Sequence, residues 1–419
     1  MQAGSFDISD SHPCHQGILI RPLTKEEKAL LSEIERSPDA RRVKEIESET
    51  KHDVKACEYW LRERFSGTSL ADLVPMLHFG LTSNDVTDTA YALMVRSGLR
   101  EALLPAALEL RATLASLAKE HAGAAMLGHT HGQPASPTTL GKEFAVFSTR
   151  LERQLTFLKE WKPTSKLSGA TGTYAAQHVA APEVDWPSFA EKFLGSLGLS
   201  MTALTTQIDP KDSFAELFHT LERANSICID LCRDCWLYIS MGYLRQKVKA
   251  GEVGSSTMPH KVNPIHFENA EGNLELANSL LSFMAGKLAK SRLQRDLSDS
   301  TVLRNIGVAF GHTLLGWKSI IEGLSRISPD MERLSSDLDA HPEVLSEAIQ
   351  TVMRRHGAPE AYEQLKALSR GKALSLEELR TFISTLALPE KDKKRLLSLE
   401  PATYTGLAET LAKSDGKRR

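Results

Sequence analysis

An all-α protein, built as a bundle of long helices, is the fold class this sequence predicts, and three observations predict it. Apolar residues recur at steps of three and four over stretches much longer than a common helix. Those apolar positions spread over more than one stripe of each stretch. No strand–helix alternation runs along the chain, and no G-x-G-x-x-G follows a strand pattern, which disfavours a dinucleotide fold. Helices of roughly 25–35 residues, against a common length of about 11–12, with apolar residues on several sides, belong inside a large bundle. In one chain of 419 residues, so much apolar surface calls for covering by partner subunits.

Taken in order, residues 1–23 are polar and irregular and are expected to be disordered or to form a loop. From Lys25 to about Arg64 the periodicity predicts short helices, and from Asp85 to about His121 a long one. The stretch 139–161 places Leu140, Phe144, Phe147, Leu151, Leu155 and Leu158 at helical spacing. A second long helix is expected from Ser213 to Lys249, with Phe214, Leu217, Leu221, Cys228, Leu231, Cys235 and Ile239 on one side. A third begins at Pro264, with Asn263 as its N-cap, and a fourth spans Ser300 to Ile327. Beyond Arg326 the segments shorten and Pro, Gly and Asp breaks return. The expected division is therefore an N-terminal helical domain over 1–80, a central bundle over 81–325 and a C-terminal helical domain over 326–419.

A formal net charge of −2 lacks the basic excess of a nucleic-acid surface. No apolar run approaches the ~18 residues of a membrane span, and the N-terminus MQAGSFDISDSHPCHQ lacks the pattern of a secretory signal. The expected compartment is the cytoplasm, with no membrane partner. Cys228, Cys232 and Cys235 fall on one helical stripe and read as a buried thiol face; neither they nor His12, Cys14 and His15 form a convincing metal set.

The helical pattern breaks most sharply at 251-GEVGSSTMPHKVNPIHFENAEGN-273. Gly251 and Gly254 open backbone conformations closed to other residues. The polar loop between them and Pro264 leads to a helix N-terminus, which with Lys261 offers positive potential to an anion such as a carboxylate.

The string GSSTMPHKVNPIHFE resembles the signature of the fumarase/aspartase superfamily, whose members release fumarate from a substituted succinate. Further segments resemble the family in the same order: 52-HDVKACEYWL-61, 78-HFGLTSNDVTDTA-90, 128-GHTHGQPASPTTLGKE-143, 205-TTQI-208 and 294-QRDLSDSTVLRNIG-307. The MPHKVNP form of the signature looks like the branch that acts on succinylated purine nucleotides. The resemblance implies a fold of the fumarase/aspartase type in three domains, its core completed in a homotetramer with composite active sites. The implied reactions release fumarate to leave AMP, or convert the succinylcarboxamide ribotide SAICAR to AICAR. Another fumarate-releasing lyase, or a catalytically impaired helical homologue, is the alternative.

Such an elimination needs a base, an acid and a carboxylate clamp, and no metal or organic cofactor. By resemblance Ser255 is the base, activated by loop donors and Lys261, while Lys261 and Asn263 hold the carboxylate. His131 is the general acid, since an imidazole titrates near working pH, and Glu268 orients it. His129, two residues away, is the compositional rival. His52, Asp53, His78, Thr82 and Ser83 line the pocket; Thr130, Gln133 and Gln207 add neutral hydrogen bonds. Arg295, Ser300 and Arg304 serve the nucleotide end, where guanidinium suits phosphate. Asp85 reads as the cap of the following helix. The family's Gly-Arg-Tyr string has no counterpart ahead of His52, so the nucleotide end is expected either to use other groups or to involve residues upstream of this chain.

Overall fold

The computed structural model describes residues 20–247, 258, 261–369 and 374–414. The chain opens on three short helices, α1 (Lys25–Arg36), α2 (Ala40–Thr50) and α3 (Asp53–Phe65). Thr24 and Glu27 start α1 reciprocally: the Glu27 N–H donates to Thr24 Oγ1 at 3.2 Å and the Thr24 N–H to Glu27 Oε2 at 2.8 Å. The expected helix from Asp85 to His121 is α4 (Ser83–Ser97) and α5 (Leu104–Glu120), joined without a break by the π-wound stretch Gly98–Leu103. Next come strands β1 (Ala125–Thr130) and β2 (Gln133–Thr139) and then α6 (Leu140–Glu160), the predicted leucine-striped helix.

Short elements follow: β3 (Thr164–Ser165), α7 (Ala175–Ala180), α8 (Trp186–Ser196) and β4 (Ser200–Met201), with β3 and β4 paired in parallel. The two longest helices are α9 (Asp212–Ser240) and α10 (Ile265–Leu288), separated by β5 (Leu244–Gln246). Then come α11 (Ser300–Leu303), α12 (Ile306–Ser325), β6 (Ile327–Pro329), which pairs antiparallel with β5, and α13 (Met331–Asp339). The short helices α14 (Ser346–Arg355), α15 (Ala361–Ser369), α16 (Leu376–Thr385), α17 (Glu390–Leu397) and α18 (Ala408–Ser414) end the chain.

The chain is thus all-α, as predicted, with three small two-stranded pairings among the described residues. Four boundaries differ from expectation. Helix α9 stops at Ser240, nine residues early, because Gly242 adopts φ +78° and 244–246 pairs as a strand. Helix α10 begins at Ile265 rather than Pro264; the Pro264 carbonyl accepts from the Phe267 and Glu268 N–H groups, so Pro264 takes the capping place expected of Asn263. The run from Ser300 is broken after Leu303: the Asn305 N–H turns back to the Val302 carbonyl at 3.0 Å, and its side chain donates to Thr301 O at 2.9 Å. The fourth difference is β1–β2, where no strand was expected.

Two compact units are distinguished. The first comprises residues 1–101, 160–219 and 280–307. In it α1, α2 and α3 close over Ile34, Ile46, Ala56, Trp60, Phe65, Leu70 and Leu73. The second comprises residues 102–159, 220–279 and 308–419. Within it Leu345, Ile349, Met353, Leu365, Leu379, Ile383 and Leu396 form a cluster among the C-terminal helices, and Cys228, Cys232 and Cys235 are buried, as the helical stripe implied. Burial pushes all three thiols up, so none is a ready nucleophile.

The start of α6 sits hard against the end of α5. A Cβ on Gly141 would lie 2.4 Å from the Ala118 carbonyl oxygen and 2.5 Å from the Ala122 nitrogen, both fixed backbone. Gly141→Ala is therefore expected to cost about 1–3 kcal/mol, the range for overpacking, read as a lower midpoint in urea unfolding; an unchanged midpoint would contradict this contact.

Candidate active site

Within the first unit, His52 stands at the N-terminus of α3, where its Nδ1 accepts from the Lys55 N–H at 3.3 Å. With Nδ1 accepting, a neutral ring carries its proton on Nε2, which faces Ser83 Oγ at 3.5 Å. Asp53 is exposed, and its Oδ1 accepts from the Val54 N–H at 2.8 Å. The turn that brings Ser83 to this place uses two left-handed residues, His78 (φ +63°) and Gly80 (φ +67°). A Cβ at Gly80 would press on the buried Gln177 side chain at 2.8 Å, so glycine is required there for space and conformation alike. Thr82 and Ser83 end the turn at the head of α4. Asp85 caps that helix as expected: its Oδ2 accepts from the Thr82 N–H at 2.8 Å.

Gln207 lies in the same unit, half-buried, with its amide nitrogen donating to Ala170 O at 3.1 Å and its backbone N–H to Gln294 O at 3.2 Å. Arg295 and Asp299 form an ion pair at 2.7 Å. Ser300 is half-buried and begins α11, and Arg304 follows it exposed. Its charge reaches Tyr91, whose hydroxyl burial pushes up and Arg304 pulls partly back.

The second unit carries the expected acid. Strands β1 and β2 pair from Ala125↔Thr139 to Thr130↔Gln133, so the hairpin loop is His131 and Gly132 alone. Both are left-handed, at φ +53° and +73°. A two-residue loop with both residues at positive φ twists with its strands, and asparagine–glycine is the common choice. Histidine there is an exposed imidazole on a rigid tip, with Thr130 and Gln133 as the flanking pair. His129 points elsewhere: its ring lies 6.2 Å from the Tyr243 ring. The hairpin is braced from below. Leu127 is buried with Leu338 and Val344. The Ser136 hydroxyl donates to Glu347, which also accepts from Tyr404 OH at 3.0 Å. Burial and the Glu347 carboxylate push the Tyr404 hydroxyl up to about 12.

Glu268, on the first turn of α10, accepts from Trp236 Nε1 at 3.1 Å. Among the described residues this is its hydrogen bond, so the expected bond to His131 is not made within the chain. Lys261 is exposed, with its backbone N–H on Met258 O at 3.0 Å, and Asn263 is half-buried. Gln246 ties the approach to α10 by donating to Val262 O at 2.8 Å. Ser255 lies outside the described residues, with His260. Among the described residues no cluster of three or more His, Cys, Asp or Glu side chains is arranged to hold a metal ion, and no helix is long and apolar enough to cross a membrane.

The sequence reading missed Lys166 and Lys211. Both are buried in the first unit, Lys166 Nζ at 2.8 Å from Asp85 Oδ1 and Lys211 Nζ at 2.9 Å from Asp88 Oδ1. The sequence signal is weak: Lys166 stands among small and apolar residues, while Lys211 stands between Asp209 and Asp212 and reads as a solvated charge.

The fold has solved counterparts. The crystal structure of 3-carboxy-cis,cis-muconate lactonizing enzyme from Pseudomonas putida superposes with a TM-score of 0.74 over 94% of this chain and 88% of that one, at 22% identity. Fumarate lyase from Mesorhizobium sp. BNC1 gives 0.75 over 94% and 90%, at 20% identity. A family model described as "Lyase" matches residues 16–276, and one described as "Adenylosuccinate lyase C-terminal" matches residues 291–405. Long-helix fold and lyase match together define the class: this is a lyase. Curated relatives narrow it. Adenylosuccinate lyase of Legionella pneumophila (strain Corby) is 50% identical over 377 residues, 90% of this chain and 83% of the relative. That of Escherichia coli (strain K12) is 47% identical over 374 residues, covering 89% and 82%. The chain belongs to the adenylosuccinate lyase family.

The geometry at the hairpin tip has a stability consequence. Asparagine tolerates the left-handed region and a β-branched residue does not. His131→Asn is expected to keep the thermal unfolding midpoint within about 2 °C, whereas His131→Val loses about 1–2 kcal/mol. Equal midpoints for the two variants would show that position 131 is not held left-handed.

Proposed function

We propose that this protein splits adenylosuccinate into AMP and fumarate, and SAICAR into AICAR and fumarate. The observation that carries the reading is His131, presented exposed on a rigid two-residue turn in a chain half identical to an adenylosuccinate lyase over nine-tenths of its length. Ser255, as alkoxide, takes the proton from the carbon beside the succinyl carboxylate. Lys261 and Asn263, at the head of α10, hold that carboxylate while negative charge builds on it. The C–N bond then breaks, its electrons pass to the departing amine, and the His131 imidazolium supplies the proton that neutralises it. Thr130 and Gln133 flank the acid. The nucleotide lies against His52, Asp53, His78, Thr82, Ser83 and Gln207, with Arg295, Ser300 and Arg304 toward its phosphate. No cofactor enters these steps.

The working form is a homotetramer in the cytoplasm, with each site drawn from several subunits. Trp236, Leu276, Phe283 and Leu315 stay exposed on α9, α10 and α12, which supports burial of these long helices against other copies. Glu268 then meets His131 across a subunit boundary. The chain divides into three parts at about residues 80 and 325, a division that the local clusters near each end support.

Absorbance-monitored cleavage tests the chemistry. The wild type is expected to turn over adenylosuccinate, Ser255→Ala to lose about 10³-fold or more in kcat and His131→Asn about 10²–10⁴-fold. Near-normal turnover in Ser255→Ala would remove the serine from the base role. Sedimentation velocity tests the assembly: a four-chain species is expected, and a monomer at assay concentration would contradict the composite site.

A further inference from the structure

The first unit contains a buried charge network that the roles above leave unused. Helix α4 turns Asp85 and Asp88 to one face, and they are 2% and 1% exposed. The facing ammonium groups of Lys166 and Lys211 are just as deep, at 0% and 2%. Desolvating such pairs is expensive, and an apolar core of equal volume is commonly as stable or more so. Stability alone therefore gives no reason for lysine at position 166.

What Lys166 does, and an apolar side chain cannot, is hold backbone. Its Nζ donates to Gly169 O at 2.8 Å and to Gln207 O at 2.9 Å. Asp85 answers from the other side. Its Oδ2 accepts from the Thr82 N–H at 2.8 Å, and its Oδ1 from the Ser168 N–H at 2.9 Å. One ion pair thus ties together three separate segments: the turn ending at Thr82, the Ser168–Gly169 loop and the bend through Gln207. The Ser168 and Thr205 hydroxyls, 3.0 Å apart, close the same junction. The Lys211 pair is different. Asp88 accepts from the Asp209 N–H at 2.8 Å, so that pair anchors the segment beyond Gln207 and reaches neither Thr82 nor Ser168.

We propose that Lys166 and Asp85 are positioning residues for substrate binding: their ion pair sets the relative placement of Thr82 and Gln207, the groups assigned to the substrate. The inference rests on the functional reading above. Thr82 and Gln207 bind in ground and transition state alike, so losing their placement raises KM and leaves kcat largely unchanged.

Steady-state cleavage of adenylosuccinate by the full chain tests this. Lys166→Met is expected to raise KM about 30-fold, roughly 2 kcal/mol, with kcat within about 3-fold. The double variant Asp85→Asn/Lys166→Met removes the stranded charge and keeps an amide oxygen for the Ser168 or Thr82 N–H, so its unfolding midpoint recovers toward wild type while its KM stays raised; a purely structural pair would recover both. Lys211→Met, which breaks an equally buried pair, lowers the midpoint and holds KM within about 3-fold. If Lys166→Met does not fold, Thr205→Val reads the same junction without baring a charge, with KM raised about 5-fold and the midpoint unchanged. Wild-type KM in the folded Lys166 variants, or in Thr205→Val where those do not fold, overturns the proposal, as does an equal rise in Lys211→Met. Where the wild type turns over, such a result removes the positioning role alone. A wild type without turnover overturns the functional reading, and this inference with it.

Discussion

An imidazole cannot be held at positive φ by a helix, and a protein made almost wholly of helices has to leave helical geometry to present one. Among the described residues the turn at His78 is one of two places where this chain does so, and the His131–Gly132 turn is the other. Two short strands are enough to fix it, because a two-residue loop with both residues left-handed admits little else. The strands are marginal alone, and their support comes from below, through buried Leu127 and the hydrogen bonds that Ser136 and Tyr404 make to Glu347. The long helices act as the frame, and the left-handed turns at His78–Gly80 and His131–Gly132 are the departures from it.

The same logic governs the first unit. The turn from His78 to Thr82 also depends on left-handed backbone, at His78 and Gly80, and it delivers Ser83 to within 3.5 Å of the His52 ring. Behind it lies a polar interior, not an apolar one. Asp85 serves as helix cap, ion-pair partner and backbone acceptor together. A buried carboxylate is tolerable only when its lone pairs are filled in this way.

How much of this the sequence shows depends on the kind of signal. The helix from Leu140 to Glu160 is legible because its apolar residues repeat at helical spacing, and Asp85 announces the start of α4 as its cap. The hairpin is not legible from periodicity. Neither AMLGHT nor QPASPTT alternates cleanly, and Pro134 and Pro137 argue against a strand unless both strands are edges, as they are here. The end of α9 is hidden because apolar residues continue at helical spacing as far as Ile239, and Gly242 is a weak breaker by itself. Lys166 and Lys211 escape notice because lysine reads as surface until a partner is seen. The residues proposed as acid and nucleotide-side groups are named by their motifs alone, and the Glu268 bond to Trp236 shows that motif order does not say which groups meet within one chain.

At the centre of this account stands His131 as the proton donor to the departing nitrogen. A crystal structure of the Ser255→Ala protein with adenylosuccinate trapped in the assembled oligomer tests that claim. It is predicted to place an imidazole nitrogen of His131 about 3 Å from the succinyl-bearing nitrogen. An occupied pocket in which His131 of every contributing subunit stands beyond hydrogen-bond reach of that nitrogen, with no water between, would contradict it.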